Sequence, residues 1–164
     1  MTAINHIIVD GPEGTAKQKL VKRLAETLGW RTDSVETPNP TFSFYEKKYA
    51  QENVIFTSSH LGGCVQSMYW NGKDPFTKEE KNKLNILAQE NGRVILVFPP
   101  NKGVMTNEEW KYYVQQGMEI ERIRLMYWIE FNNTKHITWD GNIKQLEEIT
   151  KQLKQEIDET STVA

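Results

Sequence analysis

Five short apolar runs, each followed by a stretch with helical spacing, constrain this chain more than any other feature. They fall at 4–10 (INHIIVD), 31–36, 53–57, 93–98 (RVILVF) and 135–139 (KHITW). Short β-branched runs bounded by turn residues read as buried strands. Strands alternating with helices run parallel, because each parallel neighbour needs a crossover, and helices then cover both sheet faces. Helices are expected over 17–29 and 41–51, after an irregular start through about 70, and over 77–90, about 117–131 and 142–158, with a polar loop and a short helix between about 100 and 114. The expected architecture is one three-layer α/β domain spanning 1–158, with a five-stranded parallel sheet and a lid at about 100–115. The tail 159–164 (ETSTVA) is expected to be disordered.

At 164 residues the chain is long enough to bury a core without staples. A net charge of -2 gives no global attraction to nucleic acid or to an anionic membrane. The single cysteine, Cys64, excludes an intrachain disulfide framework and a cysteine-based zinc site. No apolar run approaches membrane-spanning length and no signal-like segment precedes Ile4, so a cytoplasmic protein is expected.

The first strand leads into a turn and a lysine, "VDGPEGTAKQKL". A phosphate-binding loop reads G-x-x-x-x-G-K-[ST]: its backbone N–H groups converge on phosphate oxygens, its lysine neutralises them, and its hydroxyl binds magnesium. Here the frame is Gly11, Pro12, Glu13, Gly14, Thr15, Ala16, Lys17 and Gln18. Gly11, Gly14 and Lys17 keep their places, Ala16 replaces a glycine, and Gln18 replaces the hydroxyl residue. If position 16 needs a left-handed backbone, alanine costs roughly 1–2 kcal/mol there. Gln18 is the graver change, since magnesium demands compact oxygen ligands in near-ideal octahedral geometry. The competing reading of these eight residues is a plain strand-to-helix turn with an exposed lysine.

Three further segments lie in an order that carries a resemblance. "VDGPEGTAKQKLVKRLAETLG" resembles the start of thymidylate kinases. "FYEKKYAQENVIFTSSHLGGCVQSMYWNG" resembles the segment of thymidylate-kinase-like and deoxynucleoside-kinase-like proteins of the bacteriophage type in which a strand leads into D-R-S/W-H-L-x-E-x-V-Y, with His60, Leu61, Gly62, Val65 and Tyr69 in matching order. "RVILVFPP" and "EIERIRLMYWIEF" match the strand, lid and helix that follow. The resemblance implies a P-loop nucleoside monophosphate kinase-like fold. It implies two functions in competition. One is a degenerate, weak or inactive relative kept for binding a nucleotide, a host or viral protein, or a second copy of itself. The other is an active deoxynucleoside monophosphate kinase using ATP and Mg2+ on a dTMP-like or modified pyrimidine nucleotide.

The departures cluster where the chemistry belongs. Thr57 and Ser58 replace the family's Asp-Arg, which serve the magnesium shell and the acceptor phosphate. Gly63 stands where a glutamate is common and Gln66 where a tyrosine is common. The resemblance places nucleotide contacts at Gly11, Glu13, Gly14, Thr15, Ala16, Lys17, Gln18, Glu36, Thr57, Ser58 and His60. Its catalytic candidates are Lys17, Arg122 and Arg124, with Asp10 and Glu36 as substitute carboxylates. No paired His, Cys or acidic spacing suggests a metal site independent of the nucleotide. Phe42, Phe44 and Tyr45 read as core or as base-stacking aromatics, His60 as a helix-start or semi-buried residue in competition with a ligand contact, and Cys64 as inert.

Overall fold

The computed structural model describes residues 3–12, 16–98 and 120–163, with 111 and 115 as isolated positions. Strand β1 (His6–Asp10) leads to helix α1 (Lys17–Leu28), β2 (Arg31–Asp33), α2 (Phe42–Tyr49) and β3 (Val54–Phe56). Then come α3 (His60–Asn71), α4 (Lys78–Glu90), β4 (Gly92–Val97), α5 (Ile120–Phe131) and β5 (Ile137–Trp139). A 3-10 turn (Ile143–Gln145) opens the last helix, α6 (Leu146–Val163). The five strands form one parallel sheet in the order β2-β3-β1-β4-β5. The expected fold class is therefore what the chain adopts. Most of the expected lid lies outside the described residues.

Alternation along β1 makes the three layers. Ile7 and Val9 point into a core with Leu20 and Leu24 of α1 and Leu153 and Ile157 of α6. Ile8 points the other way, into a core with Tyr45, Tyr49, Leu61, Val65, Leu84 and Tyr127. A strand's side chains have period two, so His6 and Asp10 share the face of Ile8. Both are fully buried, and each needs polar partners there.

Strong local signals end the helices where the reading places them. Gly29 and Gly72 cap α1 and α3 in the left-handed conformation, and Thr77 with Glu80 closes a capping box on α4. The carboxyl end of the chain differs from expectation. Residues 159–163 continue α6 instead of being disordered, and Thr160 is buried. Its hydroxyl accepts from Ile4 N–H at 3.4 Å and donates to the Ile157 carbonyl at 3.1 Å, tying the last turn to the start of β1. Among the described residues, no helix is long and apolar enough to cross a membrane.

Candidate functional site

In parallel sheets, ligands bind beyond the carboxyl ends of the strands, where strand order reverses. Here that point is the end of β1, flanked by β3 and β4. A cleft of about 660 Å³ opens beside it. Helix α3 supplies one wall through two stripes of residues four apart, Gly62–Gln66–Trp70 and Gly63–Ser67–Asn71. Such spacing puts side chains above one another on a single helix face. Glu36, Thr37, Pro38 and Pro40, after β2, line the cleft together with Tyr45 of α2, Ser58 after β3 and Tyr127 of α5.

Asp10 is the centre of the polar structure at this end. Its Oδ1 accepts from Gly11 N–H at 2.7 Å, and its Oδ2 accepts from the Ser59 hydroxyl at 2.6 Å and from Gly62 N–H at 3.2 Å. Ser59 is also the N-cap of α3, accepting from Leu61 and Gly62 N–H. The carboxylate thus sits against the positive end of a helix and fastens β1 to α3. Gly62 makes the approach feasible, because a Cβ there would lie 2.6 Å from Oδ2. Gly62→Ala is expected to cost roughly 2 kcal/mol by overpacking, read as a lower urea midpoint at unchanged slope.

Lys17 opens α1, is only 5% exposed, and donates from Nζ to the Gly11 carbonyl at 2.8 Å. The lysine is therefore buried and not exposed. Gly11 itself has φ +145, and a Cβ there would fall 2.2 Å from the Val97 carbonyl oxygen. Ala16 has φ -79, so the left-handed strain considered for this position does not arise. Gln18 is exposed on α1. Glu13, Gly14 and Thr15 lie outside the described residues.

The remaining candidates separate. Glu36 and Ser58 line the cleft, whereas Thr57 is not among its lining residues and gives its N–H to the Asp33 carbonyl. His60 corrects the expectation of a ligand contact: it is fully buried and turned into the core. Its backbone N–H donates to the Tyr49 hydroxyl, Nδ1 pairs with that hydroxyl at 2.8 Å, and Nε2 pairs with Asn85 Oδ1 at 2.7 Å. With Asn85 accepting at Nε2 and Tyr49 donating to Nδ1, the ring is neutral and has no nitrogen left for a ligand. Burial pushes its pKa down to about 4. His60 joins α2, α3 and α4 instead of touching the cleft.

The two arginines of α5 do not converge. Arg122 lies 5.7 Å over the Tyr69 ring, while Arg124 lies 4.8 Å over Phe98 and pairs with Glu121 at 3.4 Å. Neither is among the residues lining the cleft. Cys64 is buried, and desolvation raises its thiol pKa, so it is unreactive as expected. Gly63 leaves room for Tyr45: a Cβ there would lie 2.7 Å from the phenol oxygen, which donates to the Val35 carbonyl. A glutamate at 63, common in the resembled family, has no space in this packing.

Asp10 accepts hydrogen bonds from Gly11, Ser59 and Gly62, the Ser59 hydroxyl is directed at Asp10, and no group of three or more acidic, His or Cys side chains gathers among the described residues. Neither the Asp10 staple nor the α3 wall is among the sites expected from sequence. The signal for the wall was the four-residue repeat from Gly62 to Asn71.

No protein-family model matches the sequence, and no curated protein does. Solved structures do match. The YorR protein of Bacillus subtilis, in complex with phosphorylated GDP, superposes with a TM-score of 0.72 over 93% of this chain and 95% of that one, at 15% identity. Shikimate kinase from Aquifex aeolicus gives 0.53 over 97% and 99% at 13% identity. Deoxyadenosine kinase from M. mycoides with bound dCTP gives 0.51 over 92% and 99% at 13% identity. The chain has the three-layer α/β fold of these neighbours, which cover 92–97% of it.

Proposed function

We propose that this chain holds a nucleotide in the cleft beside α3 and transfers phosphate weakly or not at all, as a degenerate thymidylate-kinase-like protein. Asp10 carries the reading. A kinase stabilises a transferring phosphoryl group with positioned cations and metal-bound oxygens. Here the carboxylate nearest the loop instead pins α3 to β1 through Ser59 and Gly62. Lys17 beside Gly11 keeps a cation where a phosphate would meet backbone N–H groups at the start of α1.

A second reading is an active deoxynucleoside monophosphate kinase using ATP and magnesium. It rests on Glu36, the carboxylate among the lining residues. A protein-partner role has its own support in the exposed stripe of Leu125, Trp128 and Ile129 on α5.

Calorimetry with ATP–magnesium and with dTMP, joined to a coupled turnover assay, tests these readings. The expected result is binding with turnover far below the ~10 per second typical of enzymes. In Lys17→Ala, phosphate affinity should fall roughly 10- to 100-fold, as expected for loss of a charged hydrogen bond. Turnover of about 10 per second that vanishes in Lys17→Ala would establish the active kinase instead. No binding at all would move the function to the α5 stripe.

A further inference from the structure

Gln66 and Trp70 stand one turn apart on α3, and both face the cleft. The Trp70 indole N–H donates to Gln66 Oε1 at 3.2 Å. An indole nitrogen is a donor only, so its neighbour must be the amide oxygen and not the NH2. The flip of the Gln66 amide is therefore decided by Trp70. Its oxygen is engaged, and among the described residues nothing accepts from its NH2.

Trp70 is held in turn. Its ring packs edge-on against Tyr69 at 4.9 Å and 89°, and Tyr69 lies under the Arg122 guanidinium. Arg122 thus supports the wall from behind. No lysine or arginine is among the described lining residues, so recognition in the cleft falls to neutral hydrogen bonds and to aromatic faces. The α3 wall from Gly62 to Trp70 is about 12 Å long at 1.5 Å per residue. That suits a ligand with its reacting end near Asp10 and a flat ring two turns away.

We propose that Gln66 is a specificity-determining residue that donates to a carbonyl oxygen of a heterocyclic base, and that Trp70 is the positioning residue which makes Gln66 a donor. This rests on the nucleotide reading of the cleft. At the exocyclic position where nucleobases carry either a carbonyl or an amino group, a Gln66 whose oxygen is turned to Trp70 presents its NH2, which donates to a carbonyl but leaves an amino group facing another donor. The consequence is a preference for thymine and guanine over cytosine and adenine.

The test is a binding series with dTMP, dGMP, dCMP and dAMP and the corresponding deoxynucleosides, by calorimetry on the full chain. The wild type is expected to favour the carbonyl-bearing bases about five- to tenfold, the value of one partly exposed hydrogen bond. Gln66→Glu, which offers acceptors in place of donors, should reverse the order. Trp70→Phe keeps the ring but frees the amide to rotate, so the ratio should fall toward one while melting temperature and fold stay as they were. A merely structural Trp70 would leave that ratio unchanged. A carbonyl preference that persists in both variants, or no preference in the wild type, overturns this inference and leaves the nucleotide reading standing. Failure of every ligand to bind overturns both.

Discussion

Gly11→Ala is expected to destabilise the protein by about 4 kcal/mol, combining a strained backbone with overpacking of the sheet. The residue sits at φ +145, a region that side-chain-bearing residues rarely enter. Any Cβ there also meets the Val97 carbonyl at 2.2 Å, and that atom belongs to the strand paired with β1. Relief requires β1 and β4 to part at their carboxyl ends, where Gly11 also receives Lys17 on its carbonyl and gives its N–H to Asp10. For a domain of this size the melting temperature should drop by roughly 10 °C. Calorimetric melting of the variant checks this, and a drop of under 3 °C or so would show that the backbone swings aside at little cost. Nucleotide affinity should fall with stability, because the same residue starts the loop.

Acid should loosen this fold at a predictable place. His60 is fully buried with both ring nitrogens engaged, and burial pushes its pKa from 6.5 to about 4. Below pH 6.5 the unfolded chain takes up a proton that the folded chain refuses until about pH 4. Stability from this group is therefore complete above 6.5 and is lost as pH falls through that window. The loss amounts to roughly 3 kcal/mol by pH 4. His6, buried beside Tyr49 with its pKa also lowered by desolvation, acts in the same direction. Urea titrations of wild type and His60→Gln between pH 7 and pH 4 separate the contribution. The wild type should lose about 3 kcal/mol more than the variant over that range. Equal slopes for the two proteins would mean that the imidazole can be charged in place.

Several readings that look alike in sequence come apart in space. Arg122 and Arg124 are two residues apart on one helix, and helical geometry sends them to different neighbours, Tyr69 and Phe98. His60 comes two positions after Ser58, yet the first turn of α3 directs its ring into the core while Ser58 lines the cleft. The cap residue Ser59 between them reads as an ordinary helix start, and its hydroxyl's bond to Asp10, 49 positions earlier, has no local signature. The tail is a similar case. "ETSTVA" has the composition of a frayed end, but Thr160 finds the backbone of Ile4 and the helix continues.

By itself the sequence determined the layers: alternation and helical spacing are local, period-bound properties, and they survive any choice of partner. It also marked the turn after β1 and the lysine at the head of α1, because a glycine-bearing loop between strand and helix is written in adjacent residues. Tertiary structure alone decided which polar groups are occupied. Whether Asp10 meets a metal or a serine, and which way the Gln66 amide points, depends on donors brought together from distant positions, and a buried polar group takes whichever partner the packing supplies.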